Sequence, residues 1–106
     1  MIRVELFMKI IKPAEAFPPG EYLRDELKAR GWTQSQFAQI IGRPLQLVSE
    51  IINGRKRVTE STALEIAAAL GTSARVWLNL ENNYRLWKAK APDPGIIRRA
   101  KRASAA

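Results

Sequence analysis

Apolar residues from Gly20 to Trp87 recur mostly at spacings of three and four, the period of amphipathic helices. Glycine, proline and hydroxyl residues interrupt this pattern where helices typically end or begin. The pattern predicts five short helices around one core, an all-α fold. Their expected positions are residues 20–30, 33–41, 44–53, a fourth between Thr59 and Gly71, and a fifth that Thr72 or Ser73 caps.

One face of each helix is expected to contact the core. In the first four helices the inward side chains are Leu23, Leu27, Phe37, Ala38, Ile40, Ile41, Leu47, Val48, Ile51, Ile52, Ala63, Leu64, Ile66, Ala67 and Leu70. The fifth helix carries Val76, Trp77, Leu80, Tyr84 and Trp87.

Residues 33–53 join two short helices through a tight turn. Thr33 is a good N-cap, and Gln36 three residues later completes the pattern of a capping box. Gly42 supplies the permissive backbone that the turn needs. This arrangement predicts a helix-turn-helix, whose second helix enters the major groove of DNA.

The two ends of the chain are less regular. Residues 1–12 alternate loosely, so the arm at 1–18 contains either a strand, a flexible segment or a segment that pairs with a second copy. Residues 19–90 form the expected domain. Residues 91–106 are basic and rich in small residues, and we expect a flexible tail that either solubilises the chain or binds DNA or an acidic surface.

Composition favours a polyanionic partner. The chain has 106 residues, with 18 Lys or Arg against 10 Asp or Glu and a net charge of +8. The excess lies mainly in residues 71–106, with 8 basic against 2 acidic residues, whereas residues 1–70 have 10 against 8. Nucleic acid, an acidic protein or a membrane surface fits such a balance. Charge alone does not single out the helix-turn-helix.

Several classes of function are disfavoured. The chain has no cysteine and no histidine, which excludes disulfides, zinc fingers and nucleophiles paired with histidine. The carboxylates are not accompanied by a glycine loop of the type that cradles phosphate. We therefore expect neither an enzyme nor a metal or cofactor. No signal peptide or apolar run of about 20 residues is present, which predicts a soluble cytoplasmic protein with no membrane contact.

Four segments resemble the HigA/VapI branch of lambda-repressor-like, XRE-type antitoxins. They are PGEYLRDEL, WTQSQFAQIIGRP, VSEIINGRKRVTESTALEIAAALGTS and WLNLENNYRLW, which together cover about residues 19–88. The sequence departs from the family's usual pattern at Arg43-Pro44, where a Ser or Thr commonly caps the second helix of the motif. It also has Glu60 where a proline is frequent.

The resemblance implies a homodimer that binds a palindromic operator in double-stranded DNA, represses its own operon and neutralises a RelE-like ribonuclease toxin. A solitary XRE-type regulator without a toxin is the alternative. A third possibility is a module that binds only proteins.

The candidates for base contact lie on the outer face of the third helix and, for Arg43, just before its first residue. They are Arg43, Leu45, Gln46, Ser49 and Glu50. Gln46 is the best of them, because its amide matches adenine, while Leu45 suits a thymine methyl and Arg43 a guanine or a phosphate. Glu50 either accepts from cytosine or pairs with a nearby arginine. An ordinary solvated helix face is the alternative for the whole set.

Helix ends and loops are expected to contact phosphates. The resemblance implies contacts from Thr33, Gln34, Gln36, Asn53 and the loop that follows. The basic side chains of that loop suit this role or form a solvated surface: Arg55, Lys56 and Arg57.

A dimer surface is expected on the fifth helix, because a small domain cannot easily bury so many aromatic groups. The candidates are Trp77, Leu80, Tyr84 and Trp87. Trp77 fits equally well as a cap on the core of the single chain.

Overall fold

The computed structural model describes residues 16–105, and all regular structure in that range is helical. The six helices, in chain order, are α1 Pro19–Arg30, α2 Gln34–Ile41, α3 Leu45–Ile52, α4 Glu60–Leu70, α5 Ala74–Lys88 and α6 Gly95–Ala105. The first five agree with the predicted helices to within a residue or two at each end. The possible strand at residues 1–12 lies outside the described residues. Within residues 16–105, every helix is too short or too polar to cross a bilayer.

Local capping explains where α2, α4 and α5 begin. Thr33 accepts a hydrogen bond from the Gln36 amide and closes the predicted capping box. Thr59 does the same for α4. Ser73 rather than Thr72 caps α5, because the Thr72 hydroxyl accepts a hydrogen bond from Trp77 Nε1 at 2.8 Å.

The turn of the helix-turn-helix depends on Gly42. Its φ of 69° lies in the left-handed region that only glycine adopts without strain. Pro44 then occupies the N-cap of α3 without a side-chain hydrogen bond to the helix. α3 therefore lacks the capping hydroxyl that is common in the proteins this sequence resembles, as the sequence predicts.

The core contains most of the predicted residues. Buried apolar side chains from α1 to α5 form one cluster, in which Phe37 has no exposed surface. On α5, Val76 and Trp87 are each 49% exposed. Two predicted inward residues are instead on the surface: Ile40 is 49% exposed and Leu64 64%. The prediction is wrong at these positions because a helix in a small domain buries a narrower stripe than its apolar residues cover.

Helices α1 and α3 approach each other at Gly20. A methyl group built on Gly20 would lie 2.1 Å from the carbonyl oxygen of Ile51 and 2.6 Å from that of Ile52. Glycine is thus required here by the closeness of two backbones, and α1 directly supports the C-terminal end of α3.

The sixth helix is a correction to the sequence analysis. Residues 95–105, expected to lack regular structure, form α6, and residues 16–105 contain six helices rather than five. Asp93 starts this helix by accepting hydrogen bonds from the Gly95 amide at 3.0 Å and from Arg99 at 2.8 Å. These partners lie within six residues, so the helix starts from contacts local in sequence.

Candidate nucleic-acid interface

Helix α3 is divided into a buried and an exposed side. Val48, Ile51 and Ile52 are buried in the core. Leu45, which is 48% exposed, and Gln46 lie on the surface at the first turn of the helix. The predicted orientation of α3 is therefore confirmed, and the Gln46 amide is available to a ligand that approaches the N-terminal end of this helix.

The rest of the exposed side of α3 is less open. Ser49 and Glu50 are half-buried. The Ser49 hydroxyl accepts a hydrogen bond from the side-chain Nδ2 of Asn53 at 3.3 Å. Asn53 Oδ1 accepts another from Arg24 of α1 at 3.3 Å. Among residues 16–105 no ion pair involves Glu50. The arginine partner that the sequence analysis considered for Glu50 is not found there.

Arg43 lies in the turn between α2 and α3 and is half-buried. Its Nε donates to both carboxylate oxygens of Glu65 on α4, at 2.9 and 3.1 Å. This ion pair connects the turn of the motif to the helix that packs behind it. It also neutralises a carboxylate close to the expected DNA surface.

The N-terminal end of α2 presents hydrogen-bond donors. In the capping box the Thr33 hydroxyl oxygen and the Gln36 Oε1 both act as acceptors, for the Gln36 and Thr33 amides respectively. The Thr33 hydroxyl proton and the Gln36 side-chain NH₂ group then remain for another acceptor. Thr33 and Gln36 are exposed, and Gln34 beside them is half-buried. Free donors next to a helix N-terminus suit a phosphate.

In the loop between α3 and α4 the backbone is hydrogen-bonded at both ends and the basic side chains are exposed. The Arg55 and Lys56 amides donate to the Glu50 carbonyl at 2.8 and 3.2 Å. At the other end of the loop the Val58 amide donates to the buried Glu81 carboxylate at 2.7 Å. The exposed basic side chains are Arg55, Lys56 and Arg57. Three cations are thus held on an ordered loop directly after α3.

Comparison with known proteins agrees with this geometry. A family model described as helix-turn-helix matches residues 23–77, from α1 into α5. The antitoxin HigA-1 of Vibrio cholerae is 36% identical over 72 residues, which cover 67% of this chain and 68% of that protein. The chain belongs to the HigA-type helix-turn-helix family.

Two solved structures of similar fold contain DNA. A Pseudomonas aeruginosa protein in complex with its 18-bp operator has a TM-score of 0.71 and 26% identity, over 81% of this chain and 94% of that one. The P. aeruginosa antitoxin HigA with the higBA promoter has a TM-score of 0.66 and 27% identity, over 68% and 79% of the two chains.

The predicted dimer residues of this HigA-type chain differ in accessibility. Trp77 is only 3% exposed and belongs to the core of the single chain, so its assignment to an interface is corrected. Leu80 and Tyr84 are half-buried, and Trp87 is 49% exposed with its ring 6.3 Å from that of Tyr84. Val76, one turn before Leu80, lies on the same side of α5. An apolar stripe therefore remains on α5 after the core is formed.

Three residues that support the site were missed by sequence reasoning. They are Arg24, Glu65 and Glu81. Of the three, only Glu81 could have been found from the sequence, because it lies one turn after Trp77 on the side of α5 that packs on the core. A carboxylate at such a position predicts a buried partner.

Proposed function

We propose that the chain is a DNA-binding antitoxin that represses its own operon and neutralises a RelE-like ribonuclease toxin. The observation that carries the DNA-binding part is the outward position of Leu45 and Gln46 on the first turn of α3. Relatives with the same fold bind operator or promoter DNA. We infer that the protein acts by binding rather than by catalysis, and that it does so in the cytoplasm.

Recognition of the operator begins with the first turn of α3 in the major groove. Gln46 pairs with an adenine, Leu45 contacts a thymine methyl, and Ser49 and Glu50 lie further along the same side. Donors at the start of α2, together with Asn53 and the basic loop at 55–57, hold the phosphates on either side.

A second copy doubles this surface. One short helix reads only a few base pairs, too few for useful discrimination among genomic sites. The stripe of Val76, Leu80, Tyr84 and Trp87 on α5 supplies an apolar surface for a two-fold dimer on a palindrome. We expect Trp87→Ala to weaken the dimer in analytical ultracentrifugation, whereas Leu64→Ala, which removes a still more exposed apolar side chain from α4, leaves it intact. Equal dimerisation of both variants would remove the stripe from the interface.

The DNA-binding part is tested by mobility shift with the promoter of the protein's own operon. Gln46→Ala is expected to lose about 1–3 kcal/mol of discrimination for the operator over unrelated DNA, the value of one good base contact. Gln39→Ala, the same change at an exposed site of α2, is the matched control. A wild-type protein that ignores this promoter would favour a module that binds only proteins.

The basic loop is tested by the salt dependence of binding. Each lost phosphate contact reduces the slope of log affinity against log salt by about 1. Lys56→Ala is therefore expected to weaken binding to every sequence and to flatten that slope. Lys28→Ala on α1 is the control. An unchanged slope in Lys56→Ala would make the loop a solvated surface.

The toxin part rests on the relationship to antitoxin HigA-1. Expression of the neighbouring small gene alone is expected to arrest growth, and co-expression of this chain is expected to restore it. The solitary-regulator alternative predicts that the neighbouring gene is harmless, while operator binding by the chain remains.

A further inference from the structure

The Arg43–Glu65 ion pair has an unusual arrangement of hydrogen bonds. A carboxylate and an arginine commonly join through two different nitrogens in parallel. Here both oxygens of Glu65 contact Nε alone, at 2.9 and 3.1 Å. Within the part of the chain that the structure describes, the two terminal nitrogens of Arg43 have no hydrogen-bond partner. The side chain remains 37% exposed.

The position of Arg43 in the chain suggests what these two terminal nitrogens could bind. Arg43 immediately precedes Pro44, the N-cap of α3, and is thus next to the end of α3 that enters the groove. Two terminal nitrogens in a fixed plane match the O6 and N7 acceptors of guanine. Glu65 lies on α4 and contacts the guanidinium only at Nε, where Arg43 neutralises its charge.

We propose that Glu65 is a positioning residue for base recognition, which holds Arg43 by Nε and leaves its terminal nitrogens for a guanine. The inference rests on the proposed DNA-binding function. An arginine held in one orientation before it meets DNA avoids the entropy cost of being immobilised on binding. The contribution of Glu65 thus lies in discrimination between sequences, although its own charge opposes DNA binding.

The test is a double-mutant cycle on discrimination, defined as the affinity for operator divided by the affinity for unrelated DNA of equal length. Glu65→Ala is expected to lower this ratio roughly threefold to tenfold, the factor for immobilising one long side chain. Glu60→Ala is the matched control, because it removes an exposed negative charge from the same helix. In an Arg43→Ala background, Glu65→Ala is expected to have no further effect on the ratio.

Several results would overturn the proposal. An unchanged ratio in Glu65→Ala, or the same fall in both backgrounds, would show that Glu65 does not act through Arg43. If Arg43→Ala lost affinity equally for the operator and for unrelated DNA, Arg43 would be a phosphate contact instead. Glu65→Gln, which retains the side-chain volume, replaces Glu65→Ala if circular dichroism shows that the latter is unfolded. Failure of the wild-type protein to bind its operator would count against the proposed function itself.

Discussion

Gly20 offers the sharpest test of how α1 supports α3. An alanine there would place its methyl carbon 2.1 Å from the Ile51 carbonyl oxygen and 2.8 Å from the Ile52 carbonyl carbon. Ordinary contact begins at 3.4 Å, so the overlap is more than about 1 Å. Both neighbours are backbone atoms, which cannot rotate away as a side chain can. The methyl group therefore fits only if α1 moves away from α3.

The size of the effect follows from two opposing contributions. Overpacking of a core contact costs about 1–3 kcal/mol. Alanine recovers part of this, because it favours helix over glycine by up to about 1 kcal/mol, and less in a first turn. We expect a net loss of about 2 kcal/mol in the free energy of unfolding, since backbone contacts place the cost at the upper end. For a domain of this size that loss lowers Tm by roughly 8–16 °C.

Thermal unfolding followed by circular dichroism measures this loss directly. Gly95→Ala is the matched control, because the same change at the start of α6 meets side-chain atoms and no backbone: a terminal nitrogen of Arg99 at 2.6 Å and the two Asp93 carboxylate oxygens at 3.3 Å. We expect Gly95→Ala to leave Tm unchanged or slightly higher. A Gly20→Ala protein with the Tm of the wild type would refute the argument that backbone contact fixes α1 against α3.

Three further predictions concern other contacts. Glu81→Ala should reduce the free energy of unfolding in urea by about 3 kcal/mol, because it leaves the Val58 amide buried without an acceptor. A variant as stable as the wild type would contradict this role of Glu81. Thr59→Ala should cost about 1 kcal/mol through the lost cap of α4, while Ser61→Ala at an exposed site of the same turn serves as control. The Arg99 guanidinium, followed by the Gly95 amide, holds the pKa of Asp93 below its ordinary value of 3.8. Asp93 therefore stabilises α6 fully above about pH 4, and this stabilisation is lost as pH falls through the lowered pKa. An acid titration of the α6 amide signals by NMR should show the loss. In Asp93→Asn this pH dependence should be absent.

The helices of the motif could be predicted because their signals are local. Thr33, Gln36 and Gly42 act within a few residues of their own positions, so their roles follow from spacing alone. The direction of α3 was also predictable, since its aliphatic residues recur at helical intervals. The choice between Ser73 and Thr72 as a cap was not, because it depends on a hydrogen bond from Trp77.

The tail shows a different limit of sequence reasoning. Its basic and small residues have the composition of a flexible segment, and this composition predicts a mobile end. The structure has a helix there, because Asp93 and Arg99 supply a local start and the residues after Gly95 are compatible with helix. The isoleucines at positions 96 and 97 remain 50% and 63% exposed, so packing on the core does not explain this helix.

Acidic residues in the described part of this basic chain bear on DNA binding in a way that net charge does not predict. Glu65 and Glu81 each lie behind a part of the candidate interface, and each is paired with an arginine, Arg43 and Arg85 respectively. Because both carboxylates are neutralised, they repel phosphate far less than free carboxylates would. Arg43 lies 22 residues from Glu65, in the turn of the motif, and the Val58 amide, which donates to Glu81, lies 23 residues from it, at the end of the basic loop. Orientation of the DNA-facing groups is thus supplied from α4 and α5, which explains why the motif at 33–53 alone does not define the complete site.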